Sequence, residues 1–165
     1  MNTPPENALK NLEGKVAVIT GAGSGIGRAL ALALARQGAR LALASRNALR
    51  LARLAEQCRA AGASAISVPT DVSQQAQCEA LIDQTVARYG CIDMLINNAG
   101  YGVTGYFLNQ PWKNQADFIQ VLMTAPTELC HRLMPAMLER RHGRIINVAS
   151  LAGHVPGSAG QTLYA

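Results

Sequence analysis

The sequence predicts an α/β protein with a doubly wound parallel sheet of about five strands. Two observations carry this prediction. Five short apolar runs alternate with four helix-forming segments, the pattern of parallel strands joined by crossover helices. A glycine-dense stretch, Thr20-Gly21-Ala22-Gly23-Ser24-Gly25-Ile26-Gly27, separates the first run from the first helix.

The elements follow in order. Residues 1–13 are polar, carry two prolines and read as a flexible N-terminal arm; residues 14–165 read as one domain. Lys15 to Thr20 is a β-branched run without polar alternation, as expected of a strand buried on both faces. Gly25 to Gln37 is rich in Ala, Leu and Arg and ends at Gly38, so helix is favoured. Leu41–Ser45 is the second strand, Leu49–Ala61 the second helix and Ala65–Val68 the third strand. Ser73 is the expected N-cap of a third helix reaching Tyr89. Ile92–Asn97 is the fourth strand. A long helix between about Gln115 and Arg141 contains Pro126 and Pro135, which predict a kink. Arg144–Ala149 is the fifth strand. Its apolar core, Ile145-Ile146-Asn147-Val148, calls for neighbours on both sides, so the sequence reads as the N-terminal part of a longer chain.

The glycine stretch carries chemistry. Gly21 permits a tight turn, Gly25 lets backbone approach a pyrophosphate, and Gly27 allows a helix to pack closely on a strand. Ser24 and Ile26 lie beside these glycines, at a helix start whose free N–H groups attract phosphate. About 20 residues further on, an acidic residue would hold the ribose 2′-hydroxyl of NAD. Ser45-Arg46 stands there instead, and a hydroxyl beside a guanidinium suits a 2′-phosphate. NADP(H) is therefore expected over NAD(H).

Asp71-Val72, Asn97-Asn98-Ala99-Gly100, Ser150 and Tyr164 then follow in order. With the glycine stretch, these motifs make the sequence resemble the short-chain dehydrogenase/reductases, in the single-domain branch with a TGxxxGxG loop, from about Lys15 to Ala165. The resemblance implies a Rossmann fold with strand order 3-2-1-4-5, here without its C-terminal strands. It implies hydride transfer between nicotinamide and a carbonyl or secondary alcohol. Asp71 and Val72 would contact adenine, while Asn97, Ala99 and Gly100 would line the cofactor. Ser150 and Tyr164 would be the catalytic pair, tyrosine exchanging the proton and serine hydrogen-bonding the substrate oxygen.

Two positions depart from the family pattern. The lysine four residues after the tyrosine would fall beyond Ala165, so the 165-residue chain is expected to be inactive by itself. Leu122 stands where the family's helix carries an asparagine that supports a water relay. These departures keep open a non-catalytic dinucleotide-binding module or a pseudo-enzyme.

Composition limits the other classes. The longest apolar run, Ala29–Ala35, is far short of the roughly 20 residues of a membrane span. The first residues have neither a basic nor an apolar signal region, so a cytoplasmic location is expected. The net charge of +5 is spread over separate arginines rather than gathered in a stripe, which argues against nucleic acid. Cys58, Cys78, Cys91 and Cys130 lack metal-ligand spacing, so no metal is expected; they read as reduced, mostly buried thiols. A small-molecule substrate and, for a full-length form, a homo-oligomer complete the expectation.

Overall fold

The computed structural model describes residues 12–102 and 105–154. Its strands are β1 (Val16–Thr20), β2 (Arg40–Ser45), β3 (Ala65–Pro69), β4 (Met94–Asn97) and β5 (Arg144–Asn147). All pair in parallel, in the order β3-β2-β1-β4-β5. The order reverses between β1 and β4, where a doubly wound sheet opens a crevice at its carboxyl edge.

Alternation along each strand sends neighbouring residues to opposite faces. Ala17 and Ile19 of β1, with Leu41 and Leu43 of β2, meet α1 (Gly25–Arg36) and α2 (Ala48–Ala60) through Ala31, Ala35, Leu51 and Leu54. Val18, Ala42 and Leu95 face the other way, toward α3 (Gln75–Tyr89) and α5 (Ala125–Glu139) through Leu81, Leu129 and Leu133. This two-sided burial explains the unbroken apolar strands of the sequence. Leu12, within the expected N-terminal arm, is buried in the first of these clusters.

Two local expectations are corrected and a third is made specific. The helix expected to begin after Ser73 is capped by Gln74 and starts at Gln75. The Ser73 N–H donates to Asp71 Oδ1 at 3.0 Å in an Asx turn, and the Ser73 hydroxyl accepts the Gln74 side-chain amide at 3.2 Å rather than a helix N–H. The helix expected from Gln115 begins earlier, as α4 (Trp112–Ile119) behind Pro111. The expected kink is a π turn at Gln120–Thr124, immediately before Pro126. Pro126 has no N–H to offer the Leu122 carbonyl, and the Ala125 N–H reaches back five residues to Gln120. Pro135 lies inside α5 without ending it.

The cysteines are free; Cys58 and Cys78 are buried, whereas Cys91 and Cys130 are partly exposed. No described helix is long and apolar enough to cross a membrane, and no cluster of metal-binding side chains occurs among the described residues.

Candidate functional site

The carboxyl edge of the sheet holds a cleft of about 930 Å³, within the range of small-molecule sites. Its floor is the turn from β1 into α1. Gly21 (φ +66°) and Gly25 (φ +53°) adopt the left-handed backbone there, which costs residues with a Cβ about 1–2 kcal/mol. Nothing stands within 4 Å of a Cβ built on Gly25, whereas one on Gly27 would meet Gly21 O at 2.6 Å. Gly25 thus leaves open space, and Gly27 brings helix against turn. Ser24 is the N-cap of α1 but makes no side-chain capping bond. Ser24, Gly25 and Ile26 line the cleft, so the positive end of α1 borders it.

A part-buried polar strap holds this floor to β4. Thr20 Oγ1 accepts the N–H groups of Asn98 and Ala99, each at 3.0 Å. The Asn98 side-chain amide donates to the carbonyls of Thr20 (3.0 Å) and Gly21 (3.3 Å). Sequence reasoning gave Asn98 no role of its own, because nothing local announces a pairing 78 residues apart.

Ser45, Arg46, Asp71 and Val72 line one end of the cleft. Ser45 Oγ is buried without a hydrogen-bond partner. It sits 2.8 Å from where a Cβ on Gly23 would stand, so Gly23 makes the space that the hydroxyl faces. The reading of the sequence also missed Arg50, which lines the same end. Its N–H donates to Asn47 Oδ1 at 2.9 Å, the cap that starts α2. Among the described residues neither Arg46 nor Arg50 has an ion pair.

Ala99, Gly100, Tyr101, Val121, Leu122, Val148, Ala149 and Ser150 line the remainder. The Tyr101 ring meets Phe118 edge-on at 5.6 Å. Burial, with Asp117 nearby, raises the Tyr101 phenol above its ordinary pKa. Ser150 Oγ accepts the Ala152 N–H at 3.2 Å and remains exposed. Asn97, expected to line the cofactor, does not line the cleft. Its amide donates to Asn147 Oδ1 (2.9 Å) and Cys130 Sγ (3.5 Å), because strand alternation turns it away from the crevice. Tyr164 lies outside the described residues.

A doubly wound sheet with a glycine turn at its reversal point defines the dinucleotide-fold class of protein. Within that class, residues 15–165 match the family model described as short chain dehydrogenase. The chain belongs to this family of oxidoreductases. It is 40% identical over 145 residues to the ketoacyl reductase HetN of a Nostoc species, covering 88% of this chain and 50% of that one. It is 32% identical to the 3-oxoacyl-acyl-carrier-protein reductase FabG of Escherichia coli, covering 94% and 62%. The chain therefore spans about half to three-fifths of the length of these curated relatives. Among solved structures, a metagenomic short-chain oxidoreductase in complex with NADP superposes with a TM-score of 0.87 at 36% identity. That match covers 93% of this chain and 70% of the other. An NAD+-bound xylitol dehydrogenase matches at 0.85 and 33% identity, covering 93% and 59%.

Proposed function

We propose that this chain is the NADP(H)-binding part of an oxidoreductase acting on a carbonyl or secondary alcohol. The observation that carries the proposal is the cleft, which joins the glycine turn, the Ser45–Arg46 pair and Ser150 in one opening. The residues fit the cofactor. The open space over Gly25 and the first turn of α1 suit a pyrophosphate. The orphaned Ser45 hydroxyl and unpaired Arg46 suit a 2′-phosphate. Asp71 and Val72 are assigned to adenine. Gly21, Gly27, Ala99 and Gly100 shape the floor and far wall, and Asn97 steadies β4 against β5.

When bound, the nicotinamide supplies or accepts the hydride. Ser150 is assigned to hydrogen-bond the substrate oxygen, where negative charge grows as a carbonyl is reduced. Tyr164 is assigned to exchange the proton at that oxygen. Leu122 offers no hydrogen bond, so a relay through this position does not operate. The proposal includes a cytoplasmic location and a homo-oligomeric full-length form.

Titration of NADPH and NADH by fluorescence tests the cofactor assignment. NADPH is expected to bind about tenfold or more tightly, the value of one good charge-assisted contact. Arg46→Asp is expected to reverse the order. Equal affinities would remove Arg46 from the site. A second reading, a dinucleotide-binding module without turnover, is favoured by Leu122. Cofactor binding without turnover in a full-length form, across a panel of carbonyl compounds, would select it.

A further inference from the structure

The cleft is divided by charge. Arg46, Arg50 and Asp71 are the charged residues of its lining, and Arg46 and Asp71 act on the Tyr101 phenol, whereas Val121, Leu122, Val148 and Ala149 lie on the Ser150 side. The division is written into the chain. No Asp, Glu, Lys or Arg occurs from Met94 to Trp112, from Phe118 to Thr127, or from Ile145 to Ala165, although the chain has 15 basic and 10 acidic residues. Those three segments supply every wall residue of the Ser150 end. The nearest acid on the Tyr101 side, Asp117, does not line the cleft and is paired with Lys113 at 2.5 Å.

Leu122 closes this wall. Its Cδ2 lies 2.9 Å from where a Cβ on Gly100 would stand. Its side chain also packs on the apolar cluster beneath the sheet. The π turn at Gln120–Thr124 carries both Val121 and Leu122 to the cleft. A carboxylate or phosphate brought against Val121, Leu122, Val148 and Ala149 would lose water to side chains that cannot pair with it, which is costly. An alkyl or aryl group would gain by leaving water.

We propose that the Ser150 end of the cleft takes an uncharged, apolar carbonyl compound or alcohol, with Leu122 as a specificity-determining residue. This rests on the oxidoreductase reading above. The test uses the chain as it is, in two stages. NADPH is titrated first, by its fluorescence. The binary complex is then titrated with 2-octanone and, separately, with the 2-oxo acid of the same chain length. The ketone is expected to change the fluorescence saturably and to bind about tenfold or more tightly than the oxo acid. Each methylene removed from the ketone is expected to weaken binding about fourfold. Leu122→Asn, with its fold checked by NADPH binding, is expected to narrow the ketone-to-acid ratio. The wild-type comparison stands without the variant. Equal or tighter binding of the oxo acid to the NADPH complex, or saturation by neither compound, overturns the proposal. Failure of NADPH itself to bind is a separate result, and overturns the cofactor reading first.

Discussion

Gly27 has no room for a side chain. A methyl there would press on the Gly21 carbonyl at 2.6 Å and on Asn98 Nδ2 at 2.5 Å, and the carbonyl belongs to backbone that cannot step aside. Gly27→Ala is expected to destabilise the fold by about 1–3 kcal/mol, measured by denaturant unfolding. Two cysteines make a second residue-scale prediction. Burial pushes the Cys78 thiol up from 9.0 to about 11, with Glu128 adding to the effect, and burial also raises Cys58. At neutral pH a thiol reagent is expected to label Cys91 and Cys130 in the native chain, and Cys58 and Cys78 only on unfolding. The sign for stability follows. An acid raised in the fold favours the folded state while protonated, so the Cys78 contribution is complete below about pH 9 and is lost as pH rises toward 11. Native-chain melts over that range are expected to fall, and to fall less in Cys78→Ala.

At the scale of elements, the chain's own signals located the strands and the first two helices to within about two residues, because the strands are short apolar runs and both helices stop at a glycine. What escaped was set by partners rather than by propensity. Ser73 is a good cap by composition, yet its hydroxyl accepts the Gln74 side-chain amide rather than a helix N–H. The proline in the long helix announced an irregularity, but the π turn depends on which carbonyl the Ala125 N–H finds. The end of α5 holds a further case. Arg141 adopts φ +52°, its N–H reaching Leu138 O at 2.9 Å and that of His142 reaching Met137 O at 3.0 Å. This is a Schellman cap with arginine at the position glycine prefers. Arg141→Gly is expected to stabilise the chain by about 0.5–1 kcal/mol, visible as a Tm raised by a few degrees.

For the whole molecule, the two apolar layers were legible because the strands are apolar on both faces. The candidate site was legible only in part. The glycine turn and Ser45–Arg46 could be named from spacing, and Asp71 and Ser150 from the family resemblance. Arg50, Asn98 and the turned-away Asn97 needed the register of the sheet. Among the described residues that register also leaves β5 as the outer strand beyond β4, with Ile146 43%, Val148 38% and Leu151 82% exposed along it and past its end. An exposed apolar edge is a pairing template. The chain is expected to self-associate with concentration in light scattering, and Ile146→Lys to suppress this.

The strap between Thr20 and Asn98 has a consequence for how the binding turn can arise. Every glycine of the turn lies in the first 27 residues, yet the amide that fastens it comes from the far side of three more helices and strands. A chain emerging from the ribosome would display the turn's full sequence long before it owned the turn's shape. Under the proposed function, affinity for a dinucleotide is therefore a late acquisition, gained only when β4 docks beside β1.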